Sequence, residues 1–222
     1  MQFHNNQLFH IYNQGNNRRQ IFFTEDNYSF FLWKMRAYLL PFGDLIAWCL
    51  MPNHFHWQFY TRQIHVDRKI FLLHADQIEW QRRQQKYGAK ATKVIRDWSR
   101  GAKVSDIVTL NEAIGILQSS YGRAINKANK WSGRMFKDNC QAKNGWIDEF
   151  VTLTRNGKED FRFSPNTNYN YQCFCYIHNN PVEAKLVDKA TDYPWSSARD
   201  YAGLRKGSLC NLQMGKELRD FI

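Results

Sequence analysis

Residues 44–61 have the sequence DLIAWCLMPNHFHWQFYT, in which two apolar runs of strand length flank the turn-forming pair Pro52-Asn53. The pattern predicts two antiparallel strands, over residues 44–51 and 54–61. The first run is apolar throughout, which is typical of a strand covered on both faces. The second run alternates aromatic residues with histidine and glutamine, so we expect one of its faces to be polar.

Two histidines separated by one residue occupy that polar face. Because side chains alternate across a strand, the imidazoles of His54 and His56 leave the same face, about 6–7 Å apart at the backbone. Two neutral imidazoles at that spacing can bind one divalent cation. Such pairs are also common on protein surfaces, so this motif alone is a weak signal and needs further ligands.

The remaining predicted elements surround this hairpin in a regular order. Thr24 can cap a helix that ends before Pro41, and Thr109 begins a capping-box pattern ahead of an apolar run. In chain order the sequence predicts a strand at 7–13, a helix at 24–40, strands at 44–51 and 54–61, a helix at 109–130, a strand at 133–143 and a helix at 168–179. The first six elements predict an α+β fold, a ferredoxin-like split βαβ plait with an antiparallel sheet and two helices on one face. The last helix is an addition to this plait.

Three segments fall outside this pattern. Residues 62–105 are polar and basic and are interpreted as an insertion or helical arm, either solvated or in contact with DNA. Residues 144–168 are mixed in character, and Asn156-Gly157 predicts a hairpin turn there. Residues 183–222 form a C-terminal extension. The length of 222 residues suits one domain that carries all three segments.

The composition limits the classes of function. Hydrophobic residues make up 43% of the chain, enough for a packed core. The 31 basic against 20 acidic residues give a net charge of +11, which favours a polyanionic partner, nucleic acid before a membrane surface. No apolar run approaches the ~18–20 residues of a membrane span, and the start MQFHNNQLFH is unlike a signal peptide. We therefore expect a cytoplasmic protein. With no P-loop pattern, no nucleotide cofactor is expected.

The last predicted helix adds two polar residues that suit the histidine pair. Tyr176 and Asn180 are four residues apart and share a helical face. Pro181 disfavours helical geometry at Asn180, which predicts that this amide lies at or near the helix end. The two strand histidines, the amide oxygen and the tyrosine hydroxyl can then converge on one metal ion. His178 points to a different side of the helix, so no catalytic role is expected for it.

These segments resemble a known family. Met51-Pro52-Asn53-His54-Phe55-His56 resembles the HUH motif of single-tyrosine transposases, and YIHNNPV (residues 176–182) is similar to the tyrosine motif of REP-associated tyrosine transposases. The segments YNQGNNRR (residues 12–19) and DYPWSS (residues 192–197) also resemble parts of that family, in the family's order. The resemblance implies a single HUH domain of ferredoxin-like fold.

The resemblance also implies roles for individual residues. His54, His56 and Asn180 match the metal ligands, and Tyr176 matches the nucleophile. The implied substrate is single-stranded DNA beside a hairpin from a palindromic repeat, cut through a 5′-phosphotyrosine intermediate and joined to another 3′-hydroxyl. The expected cofactor is Mg²⁺ or Mn²⁺, since imidazole ligands favour manganese and cellular abundance favours magnesium. A monomer is expected, with a dimer as the alternative.

Further residues are candidates for contact with DNA. Amide and guanidinium donors on a loop suit phosphates and base edges, whereas aromatic residues of the tail can stack on unpaired bases or pack onto the domain. The candidates are Asn16, Asn17, Arg18, Arg19, Arg134, Lys137, Trp195, Ser197 and Arg199. The competing hypothesis is a domesticated, non-catalytic regulator that binds nucleic acid on the same fold.

Overall fold

The computed structural model describes residues 1–93, 105–144 and 169–220. The strands are β1 (Gln7–Gln14), β2 (Gly43–Met51), β3 (His54–Thr61), β4 (His65–Asp67), β5 (Ile107–Thr109) and β6 (Gln141–Asn144). The helices are α1 (Glu25–Leu39), α2 (Arg68–Tyr87), α3 (Leu110–Asn129), α4 (Tyr169–Glu183), α5 (Ala198–Tyr201) and α6 (Leu212–Asp220). The hairpin turn predicted at Asn156-Gly157 lies outside the described residues. No described helix is both long and apolar enough to cross a membrane.

The main sheet has the topology that the sequence predicts. Its strands are arranged in the order β2-β3-β1-β6, and every neighbouring pair is antiparallel. With α1 between β1 and β2, and α3 between β3 and β6, this is the split βαβ plait. The α+β fold class and its antiparallel sheet are therefore confirmed.

The two faces of the sheet are covered by different helices. On one face, Phe55, Trp57 and Phe59 are fully buried in a core that includes Phe31 of α1 and Tyr121 of α3. On the other face α4 packs against β2 and β3. A smaller apolar cluster there joins the two elements, with members that include Ala47, Cys49, Cys173 and Ile177. Both faces of β2 are thus buried, which explains why its sequence is apolar throughout.

The described part of the 62–105 segment differs from the predicted arm. Helix α2 buries Phe71, Ala75 and Ile78 and packs against α1, while β4 and β5 form a two-stranded sheet. Ala75 and Ile78 follow Phe71 by four and seven positions, so the three side chains form one apolar stripe along α2. Through this stripe the helix packs against the rest of the domain. The polar residues that dominate its composition lie on the other side of the helix.

Two predicted element boundaries and one predicted helix cap differ from the structure. The fourth strand is only Gln141–Asn144, because residues 133–140 are irregular and form a single bridge, between Phe136 and Gly15. Helix α4 continues through Pro181 to Glu183, beyond the predicted end at residue 179, so Asn180 lies in its last turn. Thr24 is the residue before α1, but its hydroxyl caps no backbone amide.

The C-terminal extension runs along the free edge of β2. The amide of Leu50 donates to the carbonyl of Trp195 at 2.8 Å, and the amide of Ser197 donates to that of Trp48 at 2.9 Å. Further along, the amide of Asn211 donates to the carbonyl of Leu45 at 2.8 Å. These bonds satisfy backbone groups that would otherwise be open to pairing with another chain.

Candidate functional site

The pairing of β1 with β3 gathers polar rings on the face that α4 covers. Tyr12 lies opposite His56, and two residues further on Gln14 lies opposite His54. Residues opposite one another in an antiparallel pair point to the same face, and so does His10, two residues before Tyr12. The His54 and His56 rings lie 5.1 Å apart between centroids and are nearly perpendicular. The two histidines therefore share a face, as their spacing predicts.

Asn180 of α4 meets His54 directly. The Oδ1 atom of Asn180 lies 3.0 Å from Nε2 of His54, and Oδ1 of Asn53 lies 2.6 Å from Nδ1 of the same ring. Burial lowers the pKa of His54, an effect that its hydrogen bond to Asn180 opposes. A neutral imidazole has a single N–H and cannot donate to both oxygens. With that proton on the shorter bond to Asn53, the Nε2 lone pair faces the oxygen of Asn180.

This pair of facing lone pairs fits a metal ion. Neighbouring ligand atoms around an octahedral cation with bonds of about 2.1 Å lie roughly 3 Å apart, close to the observed separation of His54 Nε2 and Asn180 Oδ1. A cation bound by both atoms would remove their mutual repulsion. Among the described residues no three His, Cys, Asp or Glu side chains are arranged to hold a metal. The candidate ligands are two histidines and the amide of Asn180, and an asparagine is not one of those four residue types.

His10 is a partner of His56 that the sequence prediction missed. Its Nε2 lies 2.9 Å from Nδ1 of His56, and the two rings are stacked at 5.1 Å between centroids. Burial, followed by the charge of Lys143, lowers the pKa of His10 to about 3. Burial, followed by the two neighbouring histidines, also holds the pKa of His56 well below its ordinary value. Both rings are neutral near pH 7, and Nε2 of His56 is the nitrogen left to bind a ligand.

Tyr176 completes the cluster. Its ring lies 5.3 Å from that of His56 and 6.0 Å from that of His10, nearly perpendicular to both. Burial raises the pKa of the Tyr176 hydroxyl, and a hydrogen bond to Asn180 opposes that rise. The structure thus brings together all four residues of the predicted constellation, Tyr176, His54, His56 and Asn180. Their chemical roles stay a prediction.

The loop after β1 is attached to this cluster through Asn53. The amide of Gly15 donates to the carbonyl of Asn53 at 2.8 Å, and Nδ2 of Asn53 donates to the carbonyl of Arg18 at 3.3 Å. Asn17 and Arg18 both have left-handed backbone conformations, with φ of 52° and 57°. Strained residues of this kind are common at functional sites. A Cβ on Gly15 would lie 2.1 Å from the carbonyl oxygen of Arg19, so the loop requires glycine there.

The predicted DNA contacts in the loop and before β6 differ in exposure. Asn17 and Arg18 are exposed, while Asn16 and Arg19 are partly buried. The Arg19 guanidinium donates to the carbonyl of Arg134 at 2.5 Å, which joins the loop to residues 133–140. Arg134 and Lys137 are both exposed, and Arg134 forms an ion pair with Asp138. They precede β6, instead of lying on a strand as expected.

The three tail residues predicted to contact DNA all have contacts within the protein. Ser197 is fully buried, where its hydroxyl accepts from the amide of Trp48 at 2.9 Å and lies 2.7 Å from Nε2 of His178. The prediction for Ser197 is therefore wrong. The ring of Trp195 stacks on Tyr28 at 4.6 Å, in agreement with the packing alternative. Arg199 is partly buried and donates to the carbonyl of Thr191 at 3.0 Å.

Comparisons with known proteins give one structural likeness. No family model matches the chain, and no curated protein matches it. Among solved structures, a REP-associated tyrosine transposase bound to a REP hairpin is 12% identical, with a TM-score of 0.48, over 91% of this chain and 83% of that one. That protein belongs to the family whose motifs the sequence resembles.

Proposed function

We propose that this chain is a metal-dependent nuclease and strand transferase that cuts single-stranded DNA beside a hairpin, with Tyr176 as the nucleophile. The observation that carries the proposal is the position of the Tyr176 ring, 5.3 Å from that of His56 and on the same helix as Asn180, which meets His54 at 3.0 Å. A phenol beside a set of two imidazoles and an amide is the arrangement that this chemistry requires.

His54, His56 and Asn180 are the residues that would hold Mg²⁺ or Mn²⁺. Bound there, the cation would supply Lewis-acid stabilisation of the negative charge that develops on a non-bridging phosphate oxygen. Three protein ligands leave room for a phosphate oxygen and water. The contact of His10 with Nδ1 of His56 keeps the other ring nitrogen, Nε2, directed to the site.

Tyr176 performs the covalent step. Its hydroxyl oxygen forms a bond to phosphorus as the bond between phosphorus and the 3′-oxygen breaks, and the phenol proton passes to water. The 3′-oxygen takes up a proton and leaves as a hydroxyl, and the 5′-phosphate stays on the tyrosine. Attack by another 3′-hydroxyl reverses the step and joins the strands. No external energy source is needed, because the phosphotyrosine ester keeps the energy of the bond that was broken.

Charge and loop geometry support DNA as the substrate. The net charge of +11 favours a polyanion. The exposed side chains of Asn17 and Arg18 lie on the loop that Asn53 ties to His54. A strand bound by this loop would pass next to the cluster of His54, His56 and Tyr176.

The test is a covalent adduct. A hairpin-bearing single-stranded oligonucleotide, labelled at its 3′ end, is incubated with the protein and Mn²⁺ or Mg²⁺ and separated under denaturing conditions. We expect a labelled protein band with wild type and none with Tyr176→Phe or with EDTA. Tyr12→Phe is the matched control, because Tyr12 faces the same site, 5.7 Å from the His56 ring, and has no assigned role.

The same experiment separates the two hypotheses. Wild-type protein that binds the hairpin tightly but forms no adduct with either metal would overturn the nuclease and favour the non-catalytic regulator. An adduct that persists in Tyr176→Phe would assign the chemistry to another residue.

A further inference from the structure

A cavity of about 480 Å³ lies on the other side of β1 from the histidine cluster, between α3 and residues 133–140. Its floor is one side of α3, on which the small residues Gly115, Ser119 and Gly122 lie. A Cβ built on Gly115 would meet no atom within 4 Å. The volume is therefore open above this glycine.

The lining combines apolar surface, amides and cations. The apolar side chains include Ile114, Met135 and Phe136, and the amide side chains are Asn111, Gln118 and Asn139. The charged side chains of the lining are the cations Arg123, Arg134 and Lys137 and one carboxylate, Asp138, which forms an ion pair with Arg134. Arg123 and Lys137 are exposed and form no ion pair within the described part of the chain, so both are available to an anion. A nucleotide offers a complementary group for each of these: a flat apolar base for the apolar side chains, a hydrogen-bonding base edge for the amides and a phosphate for the cations.

The cavity is physically joined to the strand that carries the candidate site. Nδ2 of Asn13 donates to Oε1 of Gln118 at 2.7 Å and to the carbonyl of Lys137 at 3.1 Å. The amide of Lys137 in turn donates to the carbonyl of Gln14, which lies opposite His54. Neighbouring strands are about 4.8 Å apart, so the backbone of residues 136–137 lies roughly 10 Å from that of His54. One or two nucleotides can span this distance.

We propose that this cavity binds one unpaired nucleobase of the single-stranded substrate, with the adjoining phosphates on Arg123 and Lys137. The amide side chains of the lining form hydrogen bonds with the base edge. The cations bind the phosphates of the strand as it passes over the end of β1 toward Tyr176. The inference rests on the proposed function for its substrate class. Binding of the base does not require cleavage, so the two can be tested separately.

The test fills the cavity without removing any charge. Gly115→Leu places a side chain in the open volume, and Gly115→Ala is the matched control that changes helix propensity but fills little space. Both are made in the Tyr176→Phe background and assayed without metal, so that only binding is measured. The probe is a hairpin-bearing oligonucleotide in which 2-aminopurine replaces each unpaired base in turn.

We expect one unpaired position to change its fluorescence on binding to the Tyr176→Phe protein and to the Gly115→Ala variant. That change should be lost in Gly115→Leu, with about tenfold weaker binding. An abasic site at the same position should weaken binding to the Gly115→Ala variant by a similar factor and have little further effect on Gly115→Leu. Lys137→Ala should also weaken binding, with a smaller dependence on salt.

Equal affinity of Gly115→Leu and Gly115→Ala, or no responsive base, would overturn the inference. Displacement of the probe by a free mononucleotide at low concentration would assign the cavity to a soluble nucleotide and would equally overturn it. If the expected binding results are obtained but the adduct assay fails, the proposed nuclease activity is overturned and base binding by the cavity still stands.

Discussion

His10 contacts Nδ1 of His56, which leaves Nε2 as the nitrogen that would face the proposed metal ion. Nε2 of His10 occupies the Nδ1 side of the His56 ring at 2.9 Å, and both side chains are buried, at 8% and 6% exposure. A hydrogen-bonded partner of this kind fixes the tautomer and the orientation of a metal-binding imidazole. In the proposed function, His10 would therefore be a positioning residue that acts through His56.

Replacing His10 should weaken metal binding before any DNA is added. We expect His10→Phe to bind Mn²⁺ about 10–100-fold more weakly than wild type, because Nδ1 of His56 loses its partner. His10→Gln retains a hydrogen-bonding group and should stay within a few-fold of wild type. Calorimetric titration of the full-length protein with Mn²⁺ measures both affinities, and urea unfolding checks that the variants fold. Equal affinities for all three proteins would contradict the positioning role.

The site residues that could be predicted from the sequence depend only on local structure, whereas the one that could not depends on tertiary structure. His54 and His56 follow from alternation along a single strand, and Tyr176 and Asn180 from spacing along a single helix. His10 belongs to another strand, and its contact with His56 exists only because β1 pairs with β3 in the register that sets Tyr12 opposite His56. Nothing local to β1 specifies that register, so the partnership was not visible in the sequence.

At the scale of elements, the C-terminal extension closes the β2 edge of the sheet. Its composition of Trp, Tyr, Ser and Arg equally suits stacking on bases and packing on protein, so composition alone could not decide between them. The contacts of Ser197 favour packing on the protein, because its buried hydroxyl accepts from the Trp48 amide and contacts His178. The extension thus holds β2 and α4 in place, and α4 carries Tyr176.

Ser197→Ala should therefore destabilise the fold. We expect a loss of about 1–3 kcal/mol in the free energy of unfolding, because the amide of Trp48 loses its acceptor, the Ser197 hydroxyl, and Nε2 of His178 loses its contact with that hydroxyl in a buried position. Ser208→Ala is the matched control in the same extension, where an exposed hydroxyl accepts from Arg36 at 3.3 Å, and should cost less than about 0.5 kcal/mol. Urea unfolding measures both. Equal stability of the two variants would contradict the structural role of the Ser197 hydroxyl.

Two other helices differ from the prediction, one in its length and one in its packing. Helix α4 continues past Pro181, since the amides of Ala184 and Leu186 still donate to the carbonyls of Asn180 and Pro181, at 3.0 and 2.9 Å. Proline removes one donor of its own but leaves these later bonds intact. A helical arm was one interpretation of residues 62–105, but α2 packs against α1, because a narrow apolar stripe is enough to attach a helix to a core.

At the scale of the whole molecule, the net charge of +11 makes a general attraction to DNA easy to obtain. The useful question is which cations contact the strand. Arg18 lies at the end of the sheet where Gln14 faces His54, whereas Lys69 follows β4 at the opposite end, beyond Thr61. Both side chains are exposed, and removing either lowers the net charge equally.

Arg18→Ala and Lys69→Ala should accordingly differ in the salt dependence of binding to a hairpin-bearing oligonucleotide. Each phosphate released from a single strand reduces the slope of log affinity against log salt by about 0.7, so we expect that reduction for Arg18→Ala and almost none for Lys69→Ala. Fluorescence anisotropy over a series of sodium chloride concentrations measures the slopes. Equal slopes for the two variants would mean that DNA responds to the overall charge, and would remove the loop of residues 16–19 from the interface. A difference confined to Arg18 would place the strand at the end of the sheet occupied by His54, where the proposed reaction requires it.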